Sequence, residues 1–347
     1  MAAPTDVFID PASGTDSPGK GAIGDPYASL QYAYDDTTFD TTNGTRFNVK
    51  AGTADVTGDT SLTLGHKTVG GPLIVQGYTS AQGDGGKGHI NTGTASVQTV
   101  GYNYNHWIDM EVTSTAATAT GMKITYSSHL VNCLLNCGGT IGQNSIASGN
   151  VILMTGDQNL SVNGSLFNNF IKSDTAAIAL AFTGSAHVAS GNIIHHRGTS
   201  YACNIGSAVK VFSNNSVYAP SASYGLWCNG PCVVFNNYFE GPTTIFEGLN
   251  GDSLVFSNHC DDFTTLVSQN DEKYETTLWP NVDIGSSPFT DGANDDFTPV
   301  SETAGFGGAS IGASAEVAGG FVGAVNTIGG GAAGMLAGTD MAGGMSQ

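Results

Sequence analysis

A strand motif that returns at a constant interval is the feature that most limits how this chain can fold. Between Val209 and Cys260 the chain passes three times through an apolar stretch, an asparagine, one variable residue and a further strand-forming pair. The asparagines are Asn214, Asn236 and Asn258, so both steps have the same length. A fixed period in the twenties, with one motif per period, is typical of a solenoid in which each repeat stacks on the one before.

The same frame extends toward the amino terminus through Gly191, Asn163, Asn132 and Asp109, with some steps longer than the first. Surface loops between strands would account for the longer steps. The motifs are rich in Val, Ile, Phe and Tyr with period-2 alternation, which favours strands over helices. We therefore expect an all-β parallel β-helix. Asparagines at one corner suit it, because stacked amides hydrogen-bond from coil to coil.

The ends of the chain read differently from its middle. Leu30, Ala33 and Tyr34 follow Asp25-Pro26 at helical spacing, which predicts a short helix over the open end of the solenoid. We expect residues 1–46 to form an amino-terminal strand and cap, residues 47–300 the β-helix, and residues 301–347 an assembly tail.

The expected tail contains 14 Gly and 10 Ala among residues 301–347, with Glu302, Glu316 and Asp340 as its charges. Side chains this small build no core, and glycine loses the most entropy when ordered. The tail also carries scattered Phe, Ile, Val, Leu and Met. An apolar segment that is ordered only on docking indicates a partner surface, such as a second copy or a larger shell.

Charge excludes several classes of function. The chain has 10 Lys plus Arg against 29 Asp plus Glu, a net charge of −19, and its cations are scattered. Without a basic stripe, binding to nucleic acid or to an anionic membrane is disfavoured. The opening Met-Ala-Ala-Pro-Thr-Asp lacks the features of a signal peptide, and no apolar run approaches the ~18 residues of a membrane span. We expect synthesis in a cytoplasm.

The chain has six cysteines, which are Cys133, Cys137, Cys203, Cys228, Cys232 and Cys260. An even number permits disulfides, but a reducing compartment argues against them. Cys228 and Cys232 flank one turn and are the pair close enough to bridge; the sequence leaves that bridge open. Zinc needs four ligands in paired short spacings, and the two short pairs lie several coils apart. We expect buried thiols that act as small hydrophobes, and no metal or cofactor.

Residues 6–52 carry a family resemblance. Asp-Pro and Gly-x-Asp after a first strand, then Asp-Pro-Tyr-x-x-Leu-Gln-x-Ala, then Phe-Asn-Val-Lys-Ala-Gly, resemble the opening of right-handed parallel β-helix proteins of the pectate-lyase-like superfamily. The repeat carries the resemblance to about residue 260. It implies a right-handed coil. It does not decide function, because that superfamily includes lyases, hydrolases, surface proteins and phage virion proteins.

The densest catalytic candidates are His195, His196 and Arg197, which follow a strand. A β-helix lyase uses a Lys or Arg base beside carboxylates that hold calcium, and a β-helix hydrolase uses two or three carboxylates. Asp174 is the one acidic residue one coil away at a suitable place. The alternative is a polar loop in which one histidine stacks on its coil. The sequence leans against an enzyme, without deciding it.

Two groups of aromatic side chains are candidates for stacking on a sugar, although aromatic residues in stacked strands usually pack. They are Tyr102, Tyr104, His106 and Trp107 in one group, and Tyr224 and Trp227 in the other.

These observations predict a structural virion protein of a tailed phage, either a capsid decoration or a surface spike, that docks through residues 301–347. We expect a homotrimer that contacts capsid or other virion proteins, with a host surface glycan as a further partner. The alternatives are a polysaccharide lyase or hydrolase, a glycan-binding tailspike, and a bacterial surface protein. The missing export signal disfavours the last.

Overall fold

The chain winds into a parallel β-helix, which confirms the predicted fold class. The structure is a computed structural model that describes residues 3–65, 71–100, 104–116, 121–124, 126–174, 178–183, 187–206, 209–228, 230–249, 253–256, 258–261, 264–267, 277–278, 282–283, 289–291 and 295–299. The tail predicted over residues 301–347 lies outside the described residues.

Three long parallel sheets form the walls. Sheet 1 has twelve strands: β1 Thr5–Ile9, β2 Thr45–Lys50, β5 Leu73–Tyr78, β8 Asn105–Ile108, β11 His129–Val131, β14 Ile146–Ser148, β17 Ser165–Phe167, β20 His187–Ser190, β23 Val209–Ser213, β26 Val233–Phe235, β29 Leu254–Phe256 and β32 Thr277–Leu278. Sheet 2 has ten: β4 Leu62–Gly65, β7 Val97–Val100, β10 Met122–Ile124, β13 Gly139–Ile141, β16 Leu160–Val162, β19 Ile178–Phe182, β22 Tyr201–Gly206, β25 Tyr224–Cys228, β28 Thr244–Glu247 and β31 Thr265–Val267. Sheet 3 has eleven: β3 Asp55–Val56, β6 Gly88–Asn91, β9 Met110–Thr113, β12 Leu134–Asn136, β15 Val151–Met154, β18 Phe170–Ser173, β21 Ile193–His196, β24 Ser216–Tyr218, β27 Tyr238–Glu240, β30 His259–Asp261 and β33 Val282–Asp283.

The core runs along the inside of these sheets. In sheet 1 one inward column passes in strict register through successive coils: Val75, Trp107, Leu130, Ala147, Leu166, Ala189, Phe212, Val234 and Val255. Each of these side chains is at most 1% exposed. Large and small side chains are mixed in this column. A large side chain of one coil fills the space beside a small side chain of the adjacent coil.

One corner, between sheet 1 and sheet 3, has two rows of turn residues. The first row has left-handed backbone with φ from +52° to +70°: Asp109, Asn132, Gly149, Asn168, Gly191, Asn214 and Asn236. Successive members of this row lie one coil apart. Asn, Asp and Gly tolerate this conformation best, which explains the motif. The frame predicted through Gly191, Asn132 and Asp109 is confirmed, but Asn163 was wrong, and Asn258 belongs to the second row, one position after the corner residue. Asn163 follows β16, and Asn168 holds the corner position.

The second row is a ladder of buried asparagines, which occupy the position directly after the corner residue in the sequence. Its members are Asn150, Asn169, Asn192, Asn215, Asn237 and Asn258, all at most 2% exposed. Each side-chain amide donates to the Oδ1 of the next at 2.8–3.0 Å. Amide stacking is thus confirmed. In the corner row Asn236 Nδ2 donates to Asn214 Oδ1 at 2.6 Å, and Asn258 belongs to the buried ladder, whose other members stand one position after the corner residues.

A short helix, α1 Leu30–Asp36, lies at the amino-terminal end and confirms the predicted cap. Its buried residues are Leu30, Ala33 and Tyr34. The Ser29 hydroxyl accepts from the backbone of Tyr32 at the first turn, and Asp55 accepts from the backbone of Leu30 at 2.7 Å. These bonds satisfy donors that a helix start leaves free. Among the described residues no helix is long and apolar enough to span a membrane.

All six cysteines are free and buried, as expected. Cys228 and Cys232, whose bridging the sequence left open, are therefore two free thiols. Burial raises the pKa of the Cys133 and Cys137 thiols to about 12. They act as small core side chains.

After the last coil, a carboxy-terminal segment contacts the outer face of sheet 3. An antiparallel hairpin of β34 Phe289–Asp291 and β35 Asp296–Pro299 carries Asp295 in a left-handed conformation, φ +65°. Asp295 contacts side chains of β21 and β18 at sequence separations of 100 and 123.

Candidate functional site

The predicted candidate His195 lies on the outer face of sheet 3. Strict register places it in one outward row between Lys172 of the preceding coil and Tyr218 of the next. The rings of His195 and Tyr218 meet edge to face, with centroids 5.1 Å apart. Beside them Phe170, Ile193 and Tyr238 form a small apolar cluster on the outside of the solenoid. His195 is 0% exposed despite its outward position.

Both ring nitrogens of His195 are engaged. Nδ1 lies 2.5 Å from Asp295 Oδ1, and Arg197 Nε donates to Nε2 at 3.3 Å. An arginine only donates, so Nε2 accepts and the proton of a neutral ring sits on Nδ1, facing Asp295. Lys172 Nζ donates to the other oxygen of Asp295 at 2.6 Å. We call His195, Lys172, Arg197 and Asp295 the polar tie.

The electrostatics of the polar tie favour a charged Asp295. Burial by itself raises the pKa of this carboxyl, but the hydrogen bonds from His195 and Lys172 outweigh it, so the pKa lies below its usual value. Arg197 also approaches Asp174 at 3.8 Å near the surface. The sequence thus predicted two members of the polar tie, His195 and Arg197, and also Asp174, which lies outside the tie. It missed Lys172 and Asp295, because no local pattern links positions so far apart in the chain.

A base or acid must reach its substrate, and the polar tie offers no free nitrogen on His195. The geometry fits a fastening between the hairpin and the coils. We therefore interpret His195 and Arg197 as positioning residues of the fold. Across the described residues no three His, Cys, Asp or Glu side chains converge as metal ligands.

His196 points the other way, into the solenoid. It is 0% exposed, and its register partner on the preceding coil is Ser173, also 0% exposed. Among the described residues, neither ring nitrogen of His196 has a hydrogen-bond partner, nor does the Ser173 hydroxyl. Burial, with a smaller contribution from His195, lowers the pKa of His196 to about 4. His196 is a neutral core residue closed to any substrate.

The first group of sugar-binding candidates is scattered. Trp107 is a fully buried core residue, so its predicted role in binding is not supported. His106 packs edge to face on His129 at 4.7 Å. Tyr104 is 61% exposed and has left-handed backbone, with φ +74°. Tyr102 lies outside the described residues.

The second group is extended by a residue from the neighbouring coil. Tyr201 and Tyr224 are register partners in sheet 2, with rings stacked 4.9 Å apart at 15°. The Trp227 ring lies 5.4 Å from that of Tyr201 and is tilted by 37°. All three are half-buried on the outer face. Sequence reasoning found Tyr224 and Trp227; register within the coils was needed to add Tyr201.

A carboxyl group completes this surface. Glu247 is the register partner of Trp227 on the following coil and is 7% exposed. Within the part of the chain that the structure describes, its Oε2 has no hydrogen-bond partner, and burial raises the pKa of this carboxyl. Burial also raises the pKa of Tyr201, with Tyr224 and the charge of Glu247 adding to it, so Glu247 acts on the aromatic rings. We call Tyr201, Tyr224, Trp227 and Glu247 the aromatic patch.

Gly248 gives the indole its place. A Cβ at this position would come within 2.9 Å of Trp227 Nε1, and the backbone has φ +66°. Only glycine fits both constraints without moving the ring. The tilt of Trp227 is thus set by the backbone of the coil that carries Glu247.

No protein-family model matches this chain, and no curated protein matches it. Solved structures do. A structure titled pectate lyase Pel9A aligns with a TM-score of 0.57 and 11% identity over 87% of this chain and 86% of that one. A GH136 lacto-N-biosidase from Eubacterium ramulus aligns with a TM-score of 0.52 and 11% identity over 80% of this chain and 67% of the other. At such identity the likeness concerns architecture, and what it establishes is that the chain is a right-handed parallel β-helix.

Proposed function

We propose that this chain is a glycan-binding β-helix protein and that the aromatic patch is its binding surface. The observation that carries the proposal is the grouping of three half-buried aromatic rings with an unpartnered carboxylate oxygen on one outer face. Sugar rings have apolar faces that pack on aromatic rings, and their hydroxyls donate to carboxylates. The aromatic patch supplies both the aromatic faces and the carboxylate acceptor, in two adjacent register rows of sheet 2.

The comparisons lend support at a coarser level. The two solved structures bear the names of a lyase of pectate and a lacto-N-biosidase, which act on carbohydrates. The β-helix is thus a scaffold on which saccharide sites are built. Such likeness by fold supports a class of ligand and does not transfer an activity.

Binding is favoured over cleavage by the composition of the aromatic patch. Glycoside hydrolysis uses a pair of carboxyl groups about 5–10 Å apart. Within the patch as defined, Glu247 is the single carboxyl group. The polar tie, which holds catalytic candidates predicted from the sequence, lies on sheet 3 and is closed around His195.

The test is binding of the purified protein to a panel of soluble polysaccharides, measured by affinity electrophoresis and calorimetry. We expect retention on at least one polymer, and Trp227→Ala to weaken binding about five- to thirtyfold, since stacking contributes about 1–2 kcal/mol. Tyr126→Ala is the matched control, because Tyr126 is 52% exposed and lies outside the patch. Equal losses in both variants, or no retention at all, would refute the proposal.

We also propose that the protein is displayed on a phage virion as a homotrimer that docks through residues 301–347. The apolar, Gly/Ala-rich composition of that segment supports it. A glycan-binding surface and a virion location are compatible, since a spike contacts a host glycan. Cryo-electron microscopy of native particles should then show the rod outside the capsid, and removal of residues 301–347 should release it. A rod that stays bound after truncation would contradict this docking.

A further inference from the structure

Glu247 has a position that its fold alone does not explain. It lies in an outward row of sheet 2 that runs through Ala181, Asn204 and Trp227. Outward positions of a solenoid normally hold polar side chains that reach water. Glu247 instead is only 7% exposed, and its Oε2 has no hydrogen-bond partner among the residues that the structure describes.

An unsatisfied carboxylate oxygen is unfavourable where water is scarce, and folded proteins retain few such groups. A ligand that donates a hydrogen bond would remove the penalty. A saccharide seated on Trp227 places hydroxyl donors around its ring edge, and Glu247 lies one coil from that ring. The orphaned oxygen therefore marks where a donor is missing.

Among the described residues, the strands of sheet 2 bring no cation next to the aromatic patch. Arg197, four residues before Tyr201, is engaged by His195 and Asp174. In the strands of sheet 2, Lys123 of β10 is the only Lys or Arg. It lies six strands from β28, about 29 Å at the strand spacing of parallel sheets. At that distance a charge is screened in physiological salt. A uronate or sulfate on the patch would therefore meet Glu247 without a counter-charge from the strands of sheet 2.

We infer that Glu247 determines the specificity of the aromatic patch: its unpartnered oxygen accepts a hydroxyl of a neutral saccharide, and its charge rejects acidic saccharides. This inference rests on the proposed glycan binding and adds the chemical class of the ligand. It assigns Glu247 a role in selection, whereas Trp227 and the tyrosines supply the contact area.

The experiment compares neutral and acidic forms of the same polymer. The probes are dextran, laminarin, soluble starch and galactomannan, each with its carboxymethyl derivative. Where the wild-type protein binds a neutral form, we expect its carboxymethyl form to bind at least tenfold more weakly. Glu247→Gln keeps an acceptor and removes the charge. It should bind the neutral form within about threefold of wild type and gain at least tenfold for the carboxymethyl form.

Glu111→Gln is the control for net charge, because Glu111 is a half-buried carboxylate on sheet 3 that accepts from Asn136 at 3.2 Å. It changes the charge of the protein by the same unit and should leave the neutral-to-acidic ratio unchanged. Thermal midpoints of both variants report on folding.

The outcomes separate the two proposals. If the wild-type protein binds and Trp227→Ala weakens binding, but Glu247→Gln leaves the ratio unchanged, the assignment of Glu247 is wrong and glycan binding stands. Equal affinity of wild type for both forms also overturns the assignment. If no probe binds in either form, or if Trp227→Ala is without effect, glycan binding fails and takes the role of Glu247 with it.

Discussion

At the scale of single residues, two adjacent histidines show what one step along a strand does. Because side chains alternate along a strand, His195 and His196 must face opposite sides. Both histidines were expected to follow a strand, whereas β21 includes them, so neither the alternation nor the outward histidine was predicted. Which histidine faces outward depends on the register of β21 against β18, which pairs His196 with Ser173 inside the solenoid.

The buried His196 makes stability depend on pH. Its pKa is about 4 in the folded protein and 6.5 when free, so the unfolded chain binds the proton first as pH falls. The stabilisation from a neutral His196 is present at pH 7 and is lost below pH 6.5. We expect a loss of about 2–3 kcal/mol by pH 4.5. Urea unfolding of wild type and His196→Leu at pH 7 and 4.5 measures it.

The leucine variant should lose less stability on acidification than wild type by that amount. His106, whose pKa burial and His129 also lower to about 4, is present in both proteins and cancels in the difference. Parallel acid losses in the two proteins would show that His196 does not titrate as described.

At the scale of elements, the asparagine ladder is the connection between coils that the sequence came closest to revealing. The period identified the corner, and stacked amides were expected there. Of the three asparagines that define the period, Asn258 is a member of the buried ladder. Asn214 and Asn236 adopt φ near +55°, turn the chain and bond to each other, whereas Asn215 and Asn237, one position later, point inward and join the ladder. Turn and ladder both select asparagine, so composition alone does not separate them.

Replacement of one ladder asparagine should be strongly destabilising. In Asn192→Ala, the backbone N–H of Asn169 loses its acceptor and Leu166 O loses its donor, both inside the core. Leaving such groups unsatisfied costs about 3 kcal/mol or more in unfolding free energy. Urea or thermal unfolding provides the measurement.

Asn163→Ala is the matched control for the ladder. The frame read from the sequence placed Asn163 at the corner, whereas the structure places it half-buried after β16. Its loss should stay within about 0.5 kcal/mol. An Asn163 variant as unstable as the Asn192 variant would favour the sequence frame over the observed register.

At the scale of the whole molecule, each coil contacts mainly its two neighbours, and this locality is why the fold was predictable. The polar tie was not, because Asp295 and His195 meet at a sequence separation of 100. The aromatic patch stands between these cases. Tyr224 and Trp227 are local, whereas Tyr201 and Glu247 join them only through coil stacking.

Locality predicts that one full coil can be removed. Deleting residues 150–168 joins Gly149 to Asn169 and replaces one left-handed corner residue, Asn168 at φ +55°, by another, Gly149 at φ +67°. The next ladder asparagine follows directly. We expect a folded protein with the circular dichroism spectrum of the parent and a cooperative unfolding transition.

Deleting residues 150–169 shifts the frame by one position and is the control. It removes two ladder asparagines, Asn150 and Asn169, where the first deletion removes one, and it turns every following side chain of that strand to the opposite face. We expect insoluble or unfolded protein. Equal behaviour of the two deletions would contradict the coil register described above.

The orientation of the ladders also decides how the molecule bears load. Backbone and asparagine hydrogen bonds between coils run along the rod, so a pull on the last coil loads the bonds of one coil boundary at a time. Under axial tension the coils should therefore unfold one after another from the pulled end, at low force and in steps of about one coil. The polar tie crosses several of these boundaries at once, and it acts as a brace where unfolding would otherwise begin.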